Sequence, residues 1–239
     1  MDQKKLIGML NKALDLCLMT GFLAVFLLGL YFTCDLVHVH AGVRTEKVMK
    51  YRPADGQTAG LKELSEDCVG WLTIDGTGID YPVMQGRDNV EYLNKDPYGE
   101  YSLAGSVFLD SRNAPDFSDP YLLIYGHHME AGAMFGALDA FSDPRYFASH
   151  RSGRLTTAEG VFRIRLFAFL ETDVKDRAVF SPTEGEGPRG SISERAAIDY
   201  GAPRDAVILG LSTCTKPLSS KRICLFGVLE KEDRTEEMS

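Results

Sequence analysis

The sequence predicts a mainly β chain: an eight-stranded barrel with short flanking helices, preceded by one apolar helix of membrane-spanning length. Three observations predict it. Residues 16–34 are 19 consecutive positions without a formal charge. Beyond position 41, eight apolar runs of strand length are separated by turn-forming residues. Helical patterns in that region are few and short, which leaves a closed or nearly closed barrel as the economical way to pair the strands.

The uncharged run spans about 28 Å as a helix, close to the hydrocarbon thickness of a bilayer. Lys4, Lys5 and Lys12 precede it and Asp35 follows, so the positive-inside rule places the N-terminus in the cytoplasm and the rest outside. A cleaved signal peptide competes, with Val39-His40-Ala41 before Gly42 as a processing site. Signal-peptide apolar regions run to about 7–15 residues, so the length favours an uncleaved signal-anchor. The expected organisation is a cytoplasmic N-terminus at 1–15, a transmembrane anchor at 16–36, lead-in helices and linker at 37–65, a mainly β domain at 66–232 and a polar tail at 233–239.

Lead-in helices are expected at 45–51 and 61–66, with a turn at Pro53-Ala54-Asp55-Gly56. Strands follow at 70–74 and 79–84, joined by Asp75-Gly76-Thr77-Gly78, a hairpin-type signal. One or two helical turns capped by Asp88 are expected at 88–94. Further strands are expected at 105–110, 121–127, 153–157 and 161–172, with short helices at 134–141 and 144–150 both following the strand at 121–127. A helix at 193–200, capped by Ser193 or Ser191, precedes the last strands at 206–214 and 223–231.

Composition narrows the function. The first 41 residues carry three lysines and three aspartates, so the remaining 198 hold the entire formal charge of −8. An acidic domain without a basic stripe argues against a nucleic-acid partner. Cys17 and Cys34 belong to the apolar segment, which leaves Cys68, Cys214 and Cys224 outside it. Three cysteines make no disulfide framework, and the odd number leaves at least one thiol unpaired within the chain.

The chemistry gathers at strand ends. Cys214 ends the run Val207-Ile208-Leu209-Gly210-Leu211-Ser212-Thr213, Arg222 begins the next strand, and Tyr121-Leu122-Leu123-Ile124-Tyr125-Gly126 ends in His127 and His128. A thiol is a poor nucleophile at neutral pH until a neighbouring base or cation activates it. An imidazole can shuttle that proton. A guanidinium stays charged and offers a rigid fork of donors to a developing oxyanion. The three together are the parts of acyl transfer through a thioester. The double histidine raises a metal reading, but no His-Glu-x-x-His or calcium-loop spacing accompanies it, and no metal is expected.

In order along the chain, Gly70-Trp71-Leu72-Thr73-Ile74, Ile79-Asp80-Tyr81-Pro82-Val83, Gly105-Ser106-Val107-Phe108-Leu109-Asp110, Ile124-Tyr125-Gly126-His127 and Leu211-Ser212-Thr213-Cys214 followed by Arg222 resemble the sortases, specifically class B. The resemblance implies a membrane-anchored cysteine transpeptidase of a Gram-positive bacterium with its catalytic domain outside the cell. Such an enzyme cuts the sorting signal of a surface protein after threonine and transfers it to an amine of the peptidoglycan cross-bridge or a pilin, without a cofactor. It further implies Cys214 as nucleophile, His127 as proton-transfer partner and Arg222 as oxyanion donor. Ser212, Thr213, Asn89, Leu93 and Tyr125 match substrate-binding positions, with Asn89 and Leu93 one helical turn apart. The helix at 193–200 matches a wall of the sorting-signal pocket. Thr215 and Lys216 stand where many class B enzymes carry an acid, so a third catalytic residue stays open. Cys224 reads either as a packed core thiol or as an oxidative partner for Cys214. A pilin-polymerising enzyme, and a barrel that binds or only hydrolyses sorting peptides, are the alternatives.

Overall fold

The computed structural model describes residues 3–43, 46–54, 60–129, 132–183, 187–214 and 220–232, with the side chains at 4–6, 34–43, 46, 47 and 214 outside the description. Part of the expected turn at 53–56, Thr215, Lys216 and the polar tail therefore lie outside the described residues. The chain divides into two compact units, Met1–Gly42 and Val43–Ser239.

The first unit is built on one helix, α1 (Gln3–Val43). Its stretch Ile7–Thr33 is long and apolar enough to cross a membrane by length and composition, and none of it is buried. At 27 residues it measures about 40 Å, longer than a hydrocarbon core. The hydroxyls of Thr20 and Thr33 donate to the Cys17 and Gly29 carbonyls at 2.9 and 2.8 Å. That back-bonding lets polar side chains sit on an apolar helix without an unmet donor.

The second unit begins with two single-turn helices, α2 (Glu46–Met49) and α3 (Leu61–Leu64). The strands that follow are β1 (Cys68–Ile74), β2 (Asp80–Met84), β3 (Val107–Leu109), β4 (Tyr121–His127), β5 (Ser152–Thr157), β6 (Gly160–Asp173), β7 (Ile198–Asp199), β8 (Val207–Cys214) and β9 (Lys221–Lys231). A 3-10 turn at Glu91–Leu93 sits between β2 and β3. A 3-10 helix at Phe135–Ser142 and α4 (Pro144–Ser149) follow β4, and α5 (Arg177–Phe180) and α6 (Arg189–Arg195) follow β6.

The sheet order is β5-β1-β2-β3-β4-β8-β9-β6-β7, and β5 also pairs with β6. That extra pairing closes eight strands into a barrel and leaves two-residue β7 as a flank on β6. Strand β6 spans the closure because it is 14 residues long. A register shift between Leu166 and Ala168 bends it from β5 towards β9 and β7.

Alternation along the strands sorts side chains into three cores. Leu72, Val83, Leu109, Leu122, Ile124, Leu155, Ile164, Leu209, Leu211 and Leu225 fill the barrel interior, joined by Phe135, Leu138 and Phe141 from the 3-10 helix. On the outer face, Tyr121, Leu123, Phe167, Ile208, Cys224 and Phe226 pack under Val179 of α5 and Ile192 of α6. A third cluster covers Trp71, Met84, Tyr92 and Phe108 with Leu61 and Leu64 of α3.

The helix expected at 193–200 is displaced. It spans Arg189–Arg195, directly after Pro188, and carries no side-chain cap. Ser193 lies inside it, with its hydroxyl donating back to Gly190 O at 3.1 Å. Ile198 and Asp199 leave the helix to pair with Phe169 and Ala168 of β6.

Candidate active site

Strands β4 and β8 are parallel neighbours whose register pairs Tyr125 with Ser212, Gly126 with Thr213 and His127 with Cys214. The histidine and the cysteine thus end adjacent strands side by side, with backbones one strand spacing of about 5 Å apart. Residues 121, 123, 125 and 127 share one face of β4 by alternation, as do 208, 212 and 214 on β8. That face is the outside of the barrel, since Tyr121, Leu123 and Ile208 belong to the outer cluster beneath α5 and α6.

Strand β9 runs antiparallel to β8, with Ser212 opposite Cys224. Arg222 lies two residues before Cys224, at the rim where β8 ends. It pairs through its backbone with Thr172 of β6, is half-buried, and donates to Lys221 O at 3.2 Å. The structure therefore brings His127, Cys214 and Arg222 to one rim.

Ser212 and Thr213 are buried under that rim. The Ser212 hydroxyl donates to Thr213 O and accepts from the Cys224 thiol, both at 3.5 Å, and the Thr213 hydroxyl accepts from Ile223 N at 3.4 Å. Cys224 is a core thiol, and burial pushes its pKa up to about 12. Cys68 is likewise buried and pushed up to about 11.

The two histidines part ways. His128 has its own carboxylate, with Nε2 2.8 Å from Asp139 Oδ2. His127 is half-buried, and its Nε2 lies 2.6 Å from the main-chain carbonyl of Leu93. Leu93 thus meets the histidine through its backbone while its side chain packs against the third core cluster.

Asn89 and Leu93 do not share a helical face. Asp88 Oδ1 accepts from Val90 N and Glu91 N, both at 2.9 Å, and the turn it caps runs only Glu91–Leu93. Asn89 precedes that turn and points its amide into a buried polar cluster instead.

The centre of this cluster is Asp110, which sequence reasoning did not single out as a site residue. Its carboxylate is fully buried and accepts from Asn89 Nδ2 at 3.0 Å, Tyr125 Oη at 3.0 Å, and Arg112 through N, Nε and a terminal NH2 at 3.0, 2.9 and 2.7 Å. Burial pushes the Asp110 carboxyl up, but the Arg112 donors and charge and the Tyr125 hydroxyl outweigh it and hold the group below its ordinary value. Asn89 Oδ1 accepts from Ser111 N at 2.7 Å, and Arg112 also donates to Phe180 O of α5 at 2.7 Å.

One carboxylate consequently joins the 3-10 loop on one side of β4 to α5 on the other. Tyr121 Oη adds a second tie to α5 through Val179 O at 2.9 Å. Helix α6 is fixed to the same wall, where Arg195 bonds Asp176 and Thr172. Among the described residues, no group of three or more His, Cys, Asp or Glu side chains is placed to hold a metal ion.

Comparison with known proteins follows this geometry. The sortase domain family matches residues 72–230. The chain is 39% identical over 112 residues to the Sortase B of Listeria monocytogenes, covering 47% of this chain and 46% of that protein. Its matches span about half the length of the curated relatives. A Streptococcus pyogenes class B sortase involved in pilus biogenesis has a solved structure that is 37% identical, with a TM-score of 0.66 over 73% of this chain and 98% of that one. A Staphylococcus aureus sortase B–substrate complex is 25% identical, with a TM-score of 0.68 over 75% and 88%. Because the family match opens in β1 and closes in β9, and class B structures superpose on the same barrel, this chain belongs to the sortase family.

Proposed function

We propose that this chain is a membrane-anchored class B transpeptidase that cleaves a sorting signal after threonine and transfers the protein to a cell-wall amine. The observation that carries the proposal is the β4–β8 register, which sets His127 beside Cys214 at the rim where Arg222 enters β9. In this reading the Cys214 thiolate attacks the threonine carbonyl, and Arg222 holds the oxyanion. The leaving amine takes its proton from His127, and an incoming amine resolves the thioester. Asn89, Leu93, Tyr125, Ser212 and Thr213 shape the groove, mostly from beneath, given how fully their polar groups are engaged.

The N-terminal helix supplies the anchor. With residues 1–15 in the cytoplasm and 16–36 in the bilayer, residues 37–65 lead to a catalytic domain at 66–232 outside the cell, followed by the tail at 233–239. The substrates would be surface proteins with a threonine-containing signal, and the acceptor a peptidoglycan cross-bridge amine. A second acceptor is favoured by one observation: the relative at 37% identity is a class B sortase involved in pilus biogenesis, so a pilin amine is the runner-up.

The test is product analysis by mass. The full chain in detergent is incubated with threonine-containing sorting peptides and either a cross-bridge peptide or a pilin. Cleavage after threonine with ligation to the cross-bridge amine is expected. Isopeptide-linked ladders with pilin alone would reverse the acceptor assignment, and no cleavage of any peptide would overturn the enzyme reading.

A further inference from the structure

The ring of His127 is held at one nitrogen. Nε2 lies 2.6 Å from the Leu93 carbonyl oxygen, an atom that can only accept, so the bond exists only with the hydrogen on Nε2. In the neutral ring the lone pair is then on Nδ1. We propose that the Leu93 main-chain carbonyl is the positioning group of this active site: it fixes His127 as the Nε2–H tautomer and leaves Nδ1 as the nitrogen that exchanges the proton. This deepens, and rests on, the reading of Cys214 as nucleophile.

The step balances without any other group. The Cys214 S–H bond breaks and its proton forms a bond to Nδ1, giving thiolate and imidazolium. The imidazolium keeps its Nε2–H bond to Leu93 O throughout. When the tetrahedral intermediate collapses, the Nδ1 proton passes to the leaving amine and the ring returns to the Nε2–H tautomer. A carbonyl thus performs the orienting task that an acid performs in other triads.

A carbonyl can do this only if it cannot swing away, and the surrounding loop restrains it. Leu93 N donates to Val90 O at 3.1 Å, closing the 3-10 turn that Asp88 caps. The preceding residue, Tyr92, is buried, with its hydroxyl on Asp67 Oδ2 at 2.7 Å and its carbonyl on Ser106 N at 3.0 Å. Asn94 O accepts from Ser102 N at 3.0 Å. On the far side of the turn, Asn89 is tied to Asp110 and Ser111. Gly105 then lies directly against the turn with φ of 58°, and a Cβ there would overlap the carbonyl oxygens of Leu93 and Tyr92. Glycine is required at 105 both for its backbone angle and to leave room for the carbonyl that holds the histidine.

The tautomer can be read directly. The full chain in detergent, labelled with 15N-histidine, gives long-range proton–nitrogen correlations for its five histidines, and the His127→Gln spectrum identifies the signals of His127. With the ring neutral, correlations of an Nε2–H ring with an unprotonated Nδ1 are expected; an Nδ1–H ring would overturn the proposal. This readout needs no peptide turnover, so it stands apart from failure of the transpeptidase reading. In Gly105→Ala, kcat is expected to fall about 100-fold, as for a displaced catalytic group, with KM for the sorting peptide within about threefold and the tautomers becoming mixed. A folded Gly105→Ala protein with unchanged kcat and tautomer would also overturn it, and should that variant not fold, the wild-type spectrum decides.

Discussion

Replacing Asp110 by alanine tests how the site is held together. The carboxylate is fully buried and bonded to Arg112, Asn89 and Tyr125, so its removal leaves three sets of donors facing a void. Deleting one partner of a buried ion pair costs about 3–5 kcal/mol. The Arg112 side chain is 41% exposed and can turn partly to water, which places the expected loss near 3 kcal/mol. For a domain of this size each kcal/mol moves the midpoint by about 2–4 °C, so the melting temperature should fall by about 6–12 °C. Asp110→Asn keeps the shape, loses the charge-assisted bonds and should lose about half as much. Because the carboxyl is held below its ordinary value, its stabilisation is present above the unfolded pKa of about 3.9 and disappears as the pH falls through the lower folded value. The gap between wild type and Asp110→Asn should therefore narrow below about pH 4. Thermal unfolding of the full chain in detergent across this range reads both effects. An Asp110→Ala protein melting within about 1 °C of wild type, or a gap unchanged at low pH, would refute the reasoning.

Three other outcomes are expected. Arg222→Ala should lower kcat by about 10²–10³, and Arg222→Lys should recover little of it, because an ammonium lacks the planar fork; steady-state kinetics with a sorting peptide checks this. His127→Ala should abolish turnover, whereas His128→Ala, which removes only a partner of half-exposed Asp139, should keep kcat within about threefold and cost under about 1 kcal/mol in a melt. Iodoacetamide at about pH 8 should alkylate Cys214 and spare Cys68 and Cys224, whose burial leaves about one part in 10³ or less as thiolate; peptide mapping reads the sites.

The strands were legible because burial on both faces writes short continuous apolar runs into Tyr121–His127 and Val207–Cys214. Cysteine, histidine and arginine at strand ends were legible for the same reason, since each interrupts an apolar run. The helix before β7 was misplaced because Ser191 and Ser193 carry cap chemistry, while the true start follows Pro188 with no side-chain cap. The i, i+4 spacing of Asn89 and Leu93 suggested one helical face, yet the Asp88 cap draws the chain into a short 3-10 turn and releases Asn89 towards Asp110. What stayed hidden was long-range or belonged to the backbone. Asp110 with Arg112 two residues on reads as an ordinary strand end, and only the barrel reveals that Asn89 and Tyr125 converge on it. The partner of His127 is a main-chain oxygen, and a carbonyl leaves no mark on residue identity.

The central claim is that Cys214 forms a thioester with a threonine-ended acyl group. Intact mass of the full chain after brief exposure to a pool of threonine-containing sorting peptides tests it, with Cys214→Ala treated in parallel. An acyl adduct on the wild type and none on the variant is the predicted result. An adduct on both proteins, or on neither while Cys214 still reacts with iodoacetamide in a folded protein, would contradict the account.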